Sequence, residues 1–226
     1  MKQPISDAHA QQVTRIFIPK ILRELLSRNL IDLAKTHDIE YLWSVVTDPK
    51  NDVVDDLQLL TEIHGEFKEI AEYAISNGKK HVAVILLATT VEHSLNLYYR
   101  EMLNLKHLTT SEITEIIRRS DINGKLGWLM SIVGNINLEH GFINDLMKLF
   151  EVRNAIVHYK AIPGKLSLHD GSDDKIKAIL DQIDLPETLN LLNELEKRLE
   201  VGLNEADPNR RMAIEFAHAM LVADSS

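Results

Sequence analysis

Among its 226 residues the chain has no cysteine. That excludes disulfides, thiolate metal sites and a cysteine nucleophile, and it fits a reducing compartment. Long apolar runs are missing too. The most apolar stretch, residues 82–88, is far shorter than a bilayer span. The opening residues, Met1-Lys2-Gln3-Pro4-Ile5-Ser6-Asp7, lack the apolar region of a signal peptide. These absences predict a soluble, cytoplasmic protein with no membrane partner. No segment of useful length alternates with the period of two that marks a half-buried strand, and there is no internal repeat. A Gly-rich phosphate loop, His-Glu-x-x-His and a calcium loop are all lacking, as is Gly-x-Ser-x-Gly. The neighbours Glu92-His93 and Glu139-His140 would point about 100° apart on a helix, so neither pair makes a metal site unaided. No cofactor and no metal are expected.

What is present is an ordinary globular composition, 45% hydrophobic, with a net charge of −9. The charge is unevenly spread. Residues 61–165 carry 12 basic and 12 acidic side chains, and the flanks carry the other 13 and 22. A neutral middle between acidic flanks argues against non-specific adhesion to nucleic acid. It suits an enzyme that grips RNA locally, or a scaffold for a protein partner.

Apolar residues at helical spacing predict an all-α fold. Residues 8–34 read as one or two helices, with a break or kink near Ile18 because Pro19 interrupts the pattern. A short helix is expected around Tyr41, Leu42, Trp43 and Val46. A turn-rich linker over 47–52 is the best internal boundary. Residues 55–76 predict an amphipathic helix with Leu59, Ile63, Phe67, Ile70 and Ala74 on its core face, stopped by an Asn77-Gly78 cap. Residues 79–102 form the longest helix, apolar all round in its first half and therefore central. A short helix covers 110–119, and turns follow at Asn123-Gly124 and Gly134-Asn135. Another helix begins near His140 or Gly141, presents Phe142, Ile143, Leu146 and Phe150 to the core, and ends before Pro163-Gly164. The last three helices cover 174–183, 186–202 and the stretch after Asp207-Pro208. The Leu189, Leu192, Leu195, Leu199 and Leu203 stripe needs a partner surface. The division expected is an N-terminal extension (1–54), a core (55–165) and C-terminal helices packing on that core (166–226).

The chemistry concentrates in Phe150-Glu151-Val152-Arg153-Asn154-Ala155-Ile156-Val157-His158-Tyr159-Lys160. On a helix the neighbours of Arg153 at three and four residues are Leu149, Phe150, Ile156 and Val157, all apolar. A guanidinium on such a stripe is costly unless an acid or an anion meets it. Asn154 and His158 lie four apart on one face beside it. A permanent cation, an amide and a group titrating near neutrality suit a phosphodiester. Glu92, set in the long central helix, also needs a partner, and Arg153 is the candidate. Two readings stand side by side. Arg153 pairs with Glu92 or Glu151 for structure alone, with His158 at a helix C-terminus where the macrodipole favours an imidazolium; or the residues form a site.

Arg-Asn-x-x-x-His near the end of a hydrophobic helix resembles the signature of the HEPN superfamily, the higher eukaryote and prokaryote nucleotide-binding domain. Arg153, Asn154, His158 and Tyr159 match its "RNAIVHY" form. An all-helical chain and a lone acid, Glu92, in the preceding long helix fit as well, and the resemblance covers roughly residues 61–165. It implies a HEPN-like antiparallel helical bundle with extra N- and C-terminal helices. It also implies a metal-independent endoribonuclease of the toxin or phage-defence kind, with Arg153, Asn154 and His158 catalytic and Glu92 and Tyr159 supporting. Such domains commonly dimerise with facing motifs, so a homodimer is expected, with RNA as substrate and a protein antitoxin or defence partner. In some HEPN toxins a partner adenylates a Tyr two residues after the His. Here Lys160 holds that place and Tyr159 precedes it, a departure from the pattern. The rival expectation is a non-catalytic HEPN-like helical interaction or nucleotide-binding module.

Overall fold

A computed structural model describes residues 7–51, 63–134, 136–160 and 178–223, and side chains within 17–51, 66–134, 136–158 and 178–223. Every regular element among the described residues is helical. No described helix is long and apolar enough to cross a membrane. The chain divides into two compact units, residues 1–60 with 204–226, and 61–203. This differs from the expected three segments. The C-terminal residues are shared out, and those after Leu203 belong with the N-terminal helices.

The first unit contains α1 (Asp7–Ser27) and α2 (Ile39–Thr47), joined at the far end of the chain by α9 (Pro208–Ala223). Leu22, Leu25, Leu42, Ala213, Ala217 and Met220 are the most deeply buried members of its core. Of the expected break or kink near Ile18 there is no break: α1 runs on through Pro19. One missing N–H costs a helix a single hydrogen bond and a clash, and here the buried face at Ile18, Leu22, Leu25 and Leu26 outweighs that cost. Asp38 caps α2 by accepting from the Tyr41 N–H at 3.2 Å. Asp207 caps α9, its Oδ1 accepting from the Asn209 and Arg210 N–H groups at 3.1 and 3.2 Å. Its Oδ2 takes the Arg23 Nε–H at 2.6 Å, tying α9 to α1.

The second unit is built around α4 (Lys80–Leu105), the longest described helix. It buries Val84, Leu87, Val91, Leu95, Tyr98 and Tyr99, among others, which is the central role its sequence predicts. Preceding it, α3 (Ile63–Ser76) ends as the Asn77-Gly78 reading requires. Gly78 takes φ +66°, and the Lys79 and Gly78 N–H groups close on the Ala74 and Ile75 carbonyls at 2.8 and 3.0 Å. The predicted core face of α3 is met at Ala74 and partly at Phe67 but not at Ile70, and Leu59 lies outside the described residues. Ala71 and Ala74 are buried while Ile70 is 50% exposed. Small side chains let two helices approach closely, and they rotate α3 so that Ile70 and Tyr73 face outward.

A capping box starts α5 (Thr110–Arg119). Thr109 and Glu112 each accept from the other's N–H. The expected turn at Asn123-Gly124 is instead helical: α6 (Ile122–Gly124) runs into a π-helix, Lys125–Gly134. Asp121 caps this segment through the Gly124 N–H at 2.7 Å. The buried Tyr99 and Tyr98 hydroxyls of α4 donate to the Lys125 and Gly134 carbonyls at its two ends. Burial, with Tyr98 adding to it, pushes the Tyr99 phenol well above its ordinary range. The unit is completed by α7 (His140–Lys160) and α8 (Leu185–Ala206). The leucine stripe of α8 finds its surface inside the unit, where Leu192, Leu195, Leu199 and Leu203 are buried.

Candidate functional site

One face of α7 is core. Leu146, Leu149, Phe150, Val152 and Ile156 are all buried. Arg153 stands at the margin of that face, half-buried, and Asn154, Val157 and His158 are exposed. At about 100° per residue Asn154 lies between Arg153 and His158 in projection down the helix. The geometry bears this out locally, since Arg153 Nη1 donates to Asn154 Oδ1 at 2.9 Å. That bond fixes the amide, leaving its NH2 as the outward donor. The guanidinium keeps its other N–H groups for a second acceptor. Tyr159 is within α7, but its side chain lies outside the described residues.

The predicted Arg153–Glu92 pair does not form. Glu92 Oε1 lies 3.5 Å from Lys125 Nζ instead. Glu92 sits on the strip of α4 that carries Tyr99 seven residues later, and Tyr99 binds the Lys125 carbonyl. Glu92 is therefore aimed at the π-helix. Among the described residues no carboxylate lies within ion-pairing distance of Arg153, so the purely structural pairing with Glu92 or Glu151 is also absent. The apolar stripe around Arg153 is likewise settled within the chain, because Leu149, Phe150 and Ile156 are buried and only Val157 is open. That stripe does not by itself call for a second copy.

His158 makes no hydrogen bond or ion pair among the described residues. Of the two acid–histidine neighbours, His93 packs edge-on against Phe67 at 5.8 Å, and Glu139 is held by Arg198 Nη1 at 2.6 Å. The Arg198 hydrogen bond keeps the Glu139 carboxyl below its usual range. No group of three or more His, Asp or Glu residues placed to hold a metal occurs among the described residues.

Sequence reasoning passed over Lys125, whose side chain is only 4% exposed although it bears a charge. The available signal was a lone Lys at the head of the apolar run Leu126-Gly127-Trp128-Leu129-Met130. On a helix such a Lys is either a solvated edge or a buried cation, and the run after it favours burial. The chain matches no protein-family model, no curated protein and no solved structure.

Proposed function

We propose that the exposed edge of α7 is the active edge of a metal-independent endoribonuclease, working as a toxin or defence effector of HEPN type. The observation that carries the reading is Arg153: a half-buried cation with no carboxylate partner among the described residues, bonded to Asn154, with His158 further round the exposed side of the same helix. A partly desolvated guanidinium without an acid is a site for an oxyanion. Its free N–H groups fork onto two phosphate oxygens, and the outward Asn154 amide donates to a third. His158 moves the proton, imidazole being the side chain suited to acid–base work near neutral pH. The 2′-hydroxyl attacks the adjacent phosphorus and loses its proton to the base. The P–O5′ bond breaks, the leaving oxygen takes a proton, and the ends are a 2′,3′-cyclic phosphate and a 5′-hydroxyl.

One histidine does not serve readily as base and acid in the same step. The reading therefore includes a homodimer in which two such edges share one cleft. One observation favours a second reading. Among the described residues His158 has no orienting partner, whereas a general base is normally held by a third group, so a non-catalytic nucleotide-binding or interaction module fits that ring as it stands. Purified protein incubated with total RNA, beside His158→Ala, separates the two. Cleavage that needs His158, persists in chelator and spares a substrate lacking the 2′-hydroxyl supports the nuclease. RNA binding without cleavage supports the module. Light scattering that finds an active monomer would remove the shared cleft.

A further inference from the structure

Helix α3 turns its small residues inward and its large ones outward. Ala71 and Ala74 are buried, whereas Ile70 is 50% and Tyr73 64% exposed. A lone exposed apolar side chain needs no explanation. Two large ones a turn apart on one strip make an unpartnered ridge. At about 100° per residue, Glu66, Ile70 and Tyr73 share roughly 60° of arc, and Glu69 and Glu72 continue it on one side. All three glutamates are exposed, and none forms an ion pair among the described residues. Lys68, the one basic side chain described on α3, points the other way and binds Glu196 at 2.7 Å. Among the described side chains of α3, nothing neutralises its outer face. The ridge is also held in place, because the buried Ala71 and Ala74 fix the roll of the helix.

We propose that this face of α3 is a docking surface for a basic amphipathic helix of another protein. The apolar ridge supplies the contact, and the glutamates select what covers it. A second copy would set these carboxylates against their own kind, and an anionic membrane or an RNA strand would meet them with phosphates. Like charge at a contact is costly, so all three occupants are disfavoured. A cationic segment gains from the same groups. Ile70 and Tyr73 stand about 4.5 Å apart along the axis, a spacing that fits between the side chains of a facing helix. The partner thus carries apolar residues at three- and four-residue spacing, with Lys or Arg on the border that meets Glu69 and Glu72. Tyr73 is the anchor, since an aromatic ring with a polar tip carries much of an interface's energy. The surface does not rest on the reading of α7.

A fluorescein-labelled helical peptide of about 18 residues, with leucines at helical spacing and lysines along both borders, tests this by anisotropy against the full chain. A peptide with the same leucines and glutamates for lysines is its control. The lysine peptide is expected to bind, and the glutamate peptide is not. Ile70→Ala with Tyr73→Ala should weaken binding on the order of tenfold or more. Glu69→Lys with Glu72→Lys should weaken it by a similar factor. Glu200→Lys with Glu205→Lys makes the same change of net charge on α8 and should leave the affinity within about twofold. All of these positions are exposed, so folding is not at stake. Failure of the lysine peptide to bind overturns the surface. So does equal binding of the two peptides, an equal loss in the α8 variant, or an affinity unchanged by Ile70→Ala with Tyr73→Ala. A native dimer that Tyr73→Ala dissociates would assign the face to a second copy. Binding of RNA or anionic vesicles lost with the same change would assign it to that ligand, and either result also overturns the proposal.

Discussion

Arg153 and Glu92 lie on neighbouring helices of one unit, yet each has taken a different partner, and that changes what their removal does. Because Arg153 holds no carboxylate among the described residues, Arg153→Ala leaves no described acid buried behind it. Its cost in stability is expected to stay below about 1 kcal/mol, in the range of surface changes that break no network. RNA cleavage is expected to fall on the order of 10²-fold or more, the usual loss when a group that binds developing charge is removed. Chemical denaturation beside a gel assay measures both. A collapse in stability with cleavage retained would mean the residue is structural after all. A second expectation at this scale concerns Glu112. Its hydrogen bonds with the Thr109 hydroxyl and backbone hold its carboxyl below the usual range. The folded pKa is therefore depressed, so the contribution is present above the unfolded value of about 4.3 and fades as pH falls through the folded one. The gap in melting temperature between the native chain and Glu112→Gln should be open at pH 6 and should close towards about pH 3. A gap that does not depend on pH would show the box does not rest on the ionised carboxylate.

Helices differ in how much of their character is local, and legibility in the sequence follows that difference. The starts of α5, α7 and α9 come from neighbouring residues: Thr109 with Glu112 for α5, the apolar period from His140 for α7, Asp207-Pro208 for α9. All three were readable. The π-helix was not, because what holds it comes from Tyr98 and Tyr99, some 30 residues away, which occupy its end carbonyls. The rotation of α3 was hidden for the same reason. Whether Ile70 or Ala71 faces α4 depends on how closely the two helices approach. The candidate site divides likewise. Arg153 and Asn154 are adjacent and were legible together, while the partner of Glu92 lies 33 residues on, just past the residues read as a turn. Close approach also governs α8. A Cβ at Gly202 would stand 2.7 Å from Ile136 Cδ1 and 3.0 Å from the Tyr98 hydroxyl. The isoleucine tip can shift, but the phenol is tied to Gly134. Gly202→Ala therefore sets an overpacking cost of about 1–3 kcal/mol against a helix-propensity gain of about 1. The expected result is a net loss near 1 kcal/mol by urea unfolding. Gly127→Ala, where nothing lies within 4 Å of the added carbon, is the control and should not destabilise. Equal behaviour of the two would show that α8 has room to move.

At the scale of the whole molecule, the first unit is assembled from the two ends of the chain. Ala213, Ala217 and Met220 of α9 complete the core that Leu22, Leu25 and Leu42 begin. Truncation after Leu203 should strip amide-exchange protection from α1 and α2 while α4, whose core lies in the other unit, keeps its own. Protected amides in α1 of that truncated chain would show that two helices suffice.

This arrangement has a consequence for the order of events at the ribosome. The helices α1 and α2 are synthesised before α9, yet their core is completed only by that helix, after about 160 further residues. At roughly 5–20 residues per second, the apolar side chains of α1 and α2 wait on the order of 10–30 s for the segment that covers them. During that interval the nascent chain carries an unsealed leucine-rich surface. Chaperone engagement would therefore be greatest at α1 and α2, and it would end when α9 emerges.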